Sequence, residues 1–221
     1  MNEFKTSDVQ ETKTTEVDNF KNIKPESDIT VKESKGFWDN EFSKNDNSLE
    51  QENPRQETVD GKTCYYDDNG QLYREDKDLI PNREYTINGY EYKTDEVGRI
   101  ISAEGKLHMK EREDRLTIKD SLQDIGKGDE LAGSDNRGHL IADRFDGSNG
   151  LENMVPQDAK INQTDFAKFE NQLALEVKNG SDVRVKIEPI YGGDSRRPDA
   201  IGVSYSINGE QSMQIFPNGK E

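Results

Sequence analysis

The stretch RGHLIADRFDGSNGLENMVPQDAKINQTDFAKFE, residues 137–170 of the 221-residue chain, decides the fold. Its histidine, His139, opens a short apolar run that is typical of a strand. A glycine-containing loop and a second apolar step at residues 153–157 follow. Apolar residues then recur with helical spacing and predict a helix over about residues 164–178; they are Phe166, Phe169, Leu173 and Val177. The segment therefore predicts a strand, a polar loop and a helix in that order.

The composition excludes several classes of protein. Hydrophobic residues make up 29% of the chain, charged residues 34%, and the formal net charge is −16. No basic footprint is visible, which argues against tight, passive nucleic-acid binding but less strongly against an enzyme that releases its substrate. No apolar run is long enough to span a bilayer, and we expect no signal peptide in residues 1–10. A single cysteine excludes an internal disulfide framework, and two histidines exclude a His-rich metal cluster.

The chain divides into parts of different character. We expect residues 1–60 to be an acidic, disordered tail or linker, because large apolar residues there are sparse and aperiodic. Residues 61–221 are predicted to form the folded domain, with a β-hairpin-rich part at 61–110 and a catalytic core at 131–221. The tyrosines of the hairpin-rich part favour packing between strands over a base-stacking surface.

Turn signals predict the local structure of this domain. Asn69-Gly70, Asn88-Gly89 and Glu104-Gly105 each lie between strand-like runs and predict three hairpins. His108 then falls on a strand of the third hairpin, where a surface position is favoured over a catalytic one. Thr117 is predicted to cap a short helix that runs through residue 125.

The chemistry is concentrated around His139. A histidine close to an arginine suits a general base near a phosphate, because imidazole titrates near neutrality and guanidinium offsets negative charge. Further along the chain, the amide of Asn162 is a hard oxygen ligand that suits Mg²⁺. Glu170 follows at an offset of ~80° on an ideal helix, from which a carboxylate can hold a metal-bound water. These residues alone leave open a capping asparagine, a surface glutamate and a buried histidine.

The motifs RGHLIA, NMVPQ, INQ and FE within residues 137–170 resemble, in order and spacing, the DNA/RNA non-specific endonuclease family. These are the ββα-metal (His-Me finger) nucleases with an Asp-Arg-Gly-His motif. The run EPIYGGDSRRP at 188–198 is similar to the branch found as C-terminal toxin domains of bacterial type VII-secreted LXG-type and other polymorphic toxins. The resemblance covers roughly residues 61–221. It implies an α+β fold with a ββα-metal core and an antiparallel sheet, preceded by a small β-hairpin region and a disordered N-terminal tail.

The resemblance also implies residue roles at the reacting centre. His139 matches the general base that activates the attacking water, and Arg137 matches the arginine that holds the scissile phosphate. Asn162 matches the sole protein ligand of the catalytic metal, which is Mg²⁺, with Mn²⁺ as a substitute. Glu170 matches the glutamate that orients the metal's waters.

Three further residues are implied to bind substrate. Asn153 and Gln157 match polar positions that shape the site. Arg197 is predicted to contact a phosphate, with a surface arginine or a pair with Asp194 as alternatives of equal weight.

Two positions depart from the family pattern. Asn136 stands where the motif has aspartate, so that either the loop shifts by one residue to use Asp135 or asparagine replaces the acid. Ala174 stands where some secreted relatives have a substrate-contacting arginine. We therefore expect weakened rather than absent activity, with phosphate contacts supplied from elsewhere in the chain.

The resulting functional prediction is a metal-dependent, sequence-non-specific endonuclease of DNA, with RNA left open as a second substrate. It would serve as a bacterial toxin effector that an immunity protein neutralises. The alternative is a catalytically degraded family member that acts as a binding or decoy protein for the immunity partner. We expect export by a type VII-like route, or a cytoplasmic location while the immunity protein is bound, and no membrane partner.

Overall fold

The computed structural model describes residues 55–219. Residues 1–54 and 220–221 lie outside the described part, so the predicted tail is described only from Arg55 onward. Twelve strands are found in this part; they are β1 (Arg55–Val59), β2 (Lys62–Tyr66), β3 (Leu72–Glu75), β4 (Asp78–Leu79), β5 (Glu84–Ile87), β6 (Tyr90–Thr94), β7 (Ile100–Lys106), β8 (Asp135–His139), β9 (Met154–Asp158), β10 (Val183–Ile190), β11 (Ala200–Ile207) and β12 (Glu210–Pro217). The helices are α1 (Leu122–Gly126), α2 (Ala159–Ile161) and α3 (Ala167–Lys178).

Strands β1 to β4 form an antiparallel sheet in sequential order. The predicted hairpin across Asn69-Gly70 is confirmed, since β2 pairs with β3. Strand β1 begins at Arg55 and pairs with β2 along its whole length. The folded part therefore starts ahead of the predicted boundary at Asp60, and Asp60 itself lies in the turn between β1 and β2 with a positive φ of 51°.

The second sheet has six antiparallel strands in the order β12-β11-β10-β7-β6-β5. The hairpin across Asn88-Gly89 is confirmed, and both turn residues have the positive φ that such a turn requires. The two sheets meet through a row of buried, stacked tyrosine rings contributed by β3, β5 and β6: Tyr73, Tyr85 and Tyr92. These rings are packing residues, as expected, and do not form a base-stacking surface.

The third predicted hairpin is wrong. Strand β7 runs through Glu104-Gly105 without turning, and it pairs with β10 as well as with β6. A Cβ atom at Gly105 would lie 2.7 Å from the ring of Tyr90, whose side chain is fully buried. The glycine therefore allows the Tyr90 ring to pack closely against β7 and does not form a turn. His108 follows the end of β7 and stacks on the Tyr90 ring at 5.4 Å.

Strands β8 and β9 form a two-stranded antiparallel sheet, and a helical segment follows directly. The helix begins at Ala159, earlier than predicted, because Asp158 caps it by accepting hydrogen bonds from two backbone N–H groups. A π-helical segment, Asn162–Phe166, joins α2 to α3. The short helix α1 is capped by Ser121 rather than by Thr117, in a reciprocal capping box with Asp124. The α+β class and the predicted strand–loop–helix order are confirmed.

Helix α3 packs against the six-stranded sheet. Phe166 and Phe169 both contact Phe216 of β12, with ring centroids 5.0 and 5.5 Å apart. Leu173 is also buried, whereas Val177 is only partly buried. This contact holds the ββα unit on one face of the sheet. Within residues 55–219, no helix is both long and apolar enough to cross a lipid bilayer.

The close approach at Gly105 can be tested by substitution. Gly105→Ala should lower the free energy of unfolding by about 1–3 kcal/mol, because the buried Tyr90 ring has to move to admit a methyl group. Gly202→Ala is the matched control in β11, where a Cβ atom would have only ordinary contacts, the nearest at 3.6 Å. The control should leave stability unchanged or raise it by up to about 1 kcal/mol. Urea unfolding of both variants provides the measurement, and equal effects would contradict the packing argument.

Candidate active site

His139 ends β8 as a buried side chain with a defined hydrogen-bond partner. Its Nε2 atom lies 2.7 Å from Oδ1 of Asn149. The Nδ2 group of Asn149 donates to Oδ1 of Asp143 at 3.0 Å, which fixes the orientation of the amide because a carboxylate only accepts. An amide oxygen also only accepts, so Nε2 of His139 carries the proton. The Nδ1 atom is therefore the free base of the neutral ring.

The carboxylate of Asp143 is held as an anion by three donors. Besides Asn149, Lys110 and Arg112 each approach it at 2.7 Å. Burial alone would raise the pKa of Asp143, but the hydrogen bonds from these groups hold it well below its usual range. Sequence reasoning missed both Asn149 and Asp143. The only signal was the polar content of the loop at 143–150, which does not say which side chain faces the histidine.

The surroundings of His139 favour its neutral form. Burial lowers the pKa of the imidazole, and the positive charges of Arg115 and Arg137 lower it further, while Asn149 and Asp143 act in the opposite direction. The pKa lies below the ordinary histidine value, so the ring is unprotonated near neutral pH and able to accept a proton.

Arg137 lies beside the segment that leads into α1. Its side chain is exposed, and its Nη1 group donates to the backbone oxygen of Asp120 at 3.1 Å and to that of Ile118 at 3.3 Å. The predicted cation thus lies close enough to the predicted base to influence its pKa.

Asn162 and Glu170 come from the helix that follows β9. Asn162 opens the π-helical segment, and Glu170 lies in the first turn of α3; both are partly buried. A π turn contains more residues than an α turn, so the ~80° offset expected on an ideal helix is reduced. Glu170 lines a small cavity together with residues 140–142, directly after His139. The structure thus places this carboxylate next to the segment that follows the base.

The carboxyl group of Glu170 has an unusual proton affinity. Burial raises its pKa to about 7, and the nearby charges of Arg144 and Arg115 only partly offset this effect. A carboxyl group that titrates near neutrality would be held as an anion by a bound cation. Asn162 and Glu170 together offer oxygen donors of the kind that a Mg²⁺ ion accepts while it keeps most of its waters. The chemistry of this donor set therefore fits the predicted metal.

Arg115 is a second cation of the site that sequence reasoning missed. It lies in the irregular segment between β7 and α1, and it is exposed. Its charge lowers the pKa of both His139 and Glu170, which places it near both groups. It forms no ion pair within residues 55–219, in contrast to Arg112 of the same segment, which pairs with Asp143.

Asn153 and Gln157 lie beneath the site and are both fully buried. The amide of Asn153 accepts from the backbone N–H of Ile141 and donates to the backbone oxygens of Ile141 and Ser148. It therefore holds the backbone of Ile141 and Ser148 in place, and both polar atoms of its amide are used in doing so. The amide of Gln157 has no hydrogen-bond partner among the described residues, and it lies against Gly138, where a Cβ atom would be 2.2 Å from Oε1.

Arg197 is engaged in an ion pair within the chain. It forms a bidentate ion pair with Asp135, at 2.7 and 2.9 Å, rather than with Asp194. Asp135 also accepts from the backbone N–H of Leu131. The pairing of β8 with β9 is continuous from Asp135 to His139.

With this geometry established, comparison with known proteins decides the family. The model described as DNA/RNA non-specific endonuclease matches residues 81–209. The chain belongs to this family. Among the described residues of this endonuclease-family chain, no group of three or more histidine, cysteine, aspartate or glutamate side chains is arranged to hold a metal.

Relatives of this family member include secretion-system proteins. The type VII secretion system protein EssD of Staphylococcus aureus strains USA300 and NCTC 8325 / PS 47 is 34% identical over 155 residues. The match covers 64% of this chain and 24% of EssD, so the chain spans about a quarter of the length of these relatives. The predicted type VII branch agrees with this finding.

Solved structures of nucleases also resemble the chain. A structure described as an extracellular endonuclease has a TM-score of 0.44 and 18% identity, and the match covers 61% of this chain and 81% of that one. Another, described as an extracellular nuclease, has a TM-score of 0.43 and 16% identity, with 64% and 92% covered. The Sda1 nuclease with bound zinc ion has a TM-score of 0.37 and 23% identity, with 38% of each chain covered.

The influence of Arg115 on the base predicts a shift in the pH profile. Arg115→Gln removes a positive charge that disfavours protonated His139, so the pKa of the imidazole should rise. The acidic limb of kcat/KM should therefore move to higher pH, because more of the base is protonated at a given pH. Arg184→Gln, on an exposed position of β10, is the control and should leave the limb in place. An unmoved limb in Arg115→Gln would show that Arg115 does not act on the base.

Proposed function

We propose that this chain is a metal-dependent, sequence-non-specific endonuclease that hydrolyses phosphodiester bonds of DNA, with RNA as a second substrate to be tested. The observation that carries the proposal is the hydrogen-bond chain from His139 through Asn149 to Asp143. It leaves Nδ1 as the only basic nitrogen of a neutral imidazole. A catalytically degraded protein has no need for a base in one defined tautomer.

The proposed reaction begins with the transfer of a proton from water to Nδ1 of His139. The hydroxide so formed attacks phosphorus in line with the leaving oxygen, the P–O bond to that oxygen breaks, and the leaving oxygen takes up a proton from solvent water. Asn149 holds the ring throughout, and the ionised Asp143 favours the imidazolium that forms. His139 is thus the proposed catalytic base, and Asn149 and Asp143 are its positioning residues.

The proposed metal site consists of the Asn162 amide oxygen, with Glu170 placed to accept hydrogen bonds from metal-bound water. A bound Mg²⁺, or Mn²⁺ in its place, would supply positive charge at the phosphate and at the leaving oxygen. The partial burial of both side chains and the raised pKa of Glu170 support this assignment.

Positive charge for the substrate phosphate is proposed to come from Arg137 and Arg115. Both side chains are exposed and both act on the electrostatics of His139. These groups recognise phosphate charge and not base edges, so we expect cleavage with little sequence preference. In this proposal, Asn153 and Gln157 support the site from below, and Arg197 stabilises β8 through Asp135.

The proposed biological role is that of a toxin effector domain, supported by the similarity to EssD. An immunity protein would neutralise it in the producing cell, and export would follow a type VII-like route. We place the nuclease domain at residues 61–221, extended at its start by β1. The alternative of a decoy that only binds the immunity protein is motivated by Asn136, and the activity test below distinguishes the two.

Loss of the base should abolish cleavage. Purified chain with Mg²⁺ should degrade plasmid DNA, EDTA should stop the reaction, and His139→Ala should lower kcat by at least about 100-fold. His108→Ala is the matched control, because His108 is exposed, stacks on Tyr90 and should leave kcat unchanged. Digestion of an RNA of mixed sequence in parallel tests the second substrate. Full activity in His139→Ala would place the site elsewhere, and an inactive wild-type chain under every metal would favour the decoy.

Removal of the proposed ligand should weaken metal binding directly. Asn162→Ala should raise the dissociation constant for Mn²⁺, measured by calorimetry on the full chain, by at least about 10-fold. Asn162→Asp keeps an oxygen donor and should retain binding. Gln163→Ala, at the adjacent exposed position, serves as the control. Equal affinities in wild type and Asn162→Ala would remove Asn162 from the metal site.

A further inference from the structure

A buried cation connects the four-stranded sheet to the catalytic loop. Arg74 of β3 is 3% exposed, and its guanidinium forms two parallel hydrogen bonds to Asp120, at 2.8 and 2.7 Å. Its Nε group donates to the backbone oxygen of Asp76, and its plane stacks on the ring of Tyr65 at 4.4 Å. All three guanidinium nitrogens thus donate a hydrogen bond and one face is stacked, which restricts the position of the group.

Asp120 links Arg74 to two parts of the proposed active site, the loop that carries Asn149 and the side chain of Arg137. Its carboxylate is 2% exposed and accepts from the backbone N–H of Leu151 at 3.0 Å, just after the loop that carries Asn149. Its backbone oxygen accepts from Arg137 at 3.1 Å. Burial alone would raise the pKa of Asp120, but the hydrogen bonds from Arg74 and Lys77 lower it, so the group remains an anion.

Glu152 forms the second contact between Arg74 and the loop. Its carboxylate is 1% exposed and lies 3.6 Å from Nη1 of Arg74. Its other oxygen accepts from the hydroxyl of Ser148, the residue before Asn149. Asn149 is therefore bracketed by Ser148 and Leu151, and each of these reaches Arg74 through one carboxylate.

We propose that Arg74 is a positioning residue for catalysis, and that the β1–β4 sheet is a built-in clamp on the loop that holds His139. This sheet precedes the residues that match the family model, which begin at residue 81, whereas Asp120 and Glu152 lie within them. The clamp thus comes from outside the matched region. The inference rests on the proposed function in one respect, since it assigns the sheet a role in that reaction.

A neutral triple variant separates positioning from folding. Arg74→Met combined with Asp120→Asn and Glu152→Gln removes all three buried charges, so no unpaired ion is left in the interior. Asn and Gln at these positions can still accept from Leu151 N–H and from Ser148. What is lost is the guanidinium that locks them together. Arg55→Met, the same change at an exposed position of β1, is the matched control.

Two readouts are required, one of which does not depend on activity. The chain has two histidines, so the ring ¹⁵N signals of His139 can be assigned by comparison with His108→Ala. In the triple variant these signals should move or broaden, kcat on plasmid DNA should fall by about 10- to 100-fold, and KM should change less than kcat. Arg55→Met should match the wild type in both measurements.

The outcomes are distinguishable. A folded triple variant with wild-type kcat and wild-type His139 signals would limit Arg74 to stability and overturn the inference. If the triple variant does not fold, Arg74→Lys decides by the same readouts, because it keeps the charge but cannot form the two-pronged contact with Asp120. If the wild-type chain cleaves nothing, the proposed function fails, and the histidine signals still decide whether Arg74 positions His139.

Discussion

Asn149 fixes the proton of His139, and Asp143 in turn fixes the orientation of Asn149. A reversed amide could donate its NH₂ group to an unprotonated Nε2, but its oxygen would then face the Asp143 carboxylate with no proton between them. Burial keeps the imidazole neutral, and a neutral imidazole has two tautomers. Only one of them exposes a basic Nδ1. The proposed active site therefore depends on a chain of polar contacts that ends at Lys110 and Arg112, outside the Arg-Gly-His motif.

A net charge of −16 does not prevent the chain from binding an anionic substrate, because electrostatic interactions act over short distances in salt solution. Charges are screened over about 8 Å at physiological ionic strength, so a bound phosphate interacts mainly with groups in its immediate neighbourhood. In the segment between β7 and α1, Lys110 and Arg112 both form ion pairs with Asp143, and Arg112 also pairs with Asp146. Arg115 is not paired in this way within the described residues, and it acts on both titrating groups of the site. The proposed phosphate contacts therefore depend on nearby cations and not on the net charge of the chain.

Local signals predicted the parts of the fold that local chemistry controls. Asn88-Gly89 forms a hairpin turn because both residues adopt positive φ. Glu104-Gly105 carries a similar signal, but the glycine is needed there because the Tyr90 ring of another strand packs against it. No local sequence pattern reveals that contact. Likewise, the motif located His139, whereas its partner Asn149 and the pairing of Arg197 with Asp135 arise from contacts across the fold. The sequence alone therefore could not predict which polar side chains, distant along the chain, pair with His139 and Arg197.

The network around Arg74 is poorly explained as a device for stability. One guanidinium faces two buried carboxylates, and the pKa of Glu152 is raised because burial outweighs the help that it receives from Ser148 and Arg74. Buried ion pairs are commonly no more stabilising than well-packed apolar side chains of similar volume, because each ion must first lose its water. What such a network does provide is a fixed geometry, because Arg74 can donate its two parallel hydrogen bonds to Asp120 in one orientation only. A fixed geometry has value at this place because the same loop carries Asn149, on which the tautomer of His139 depends.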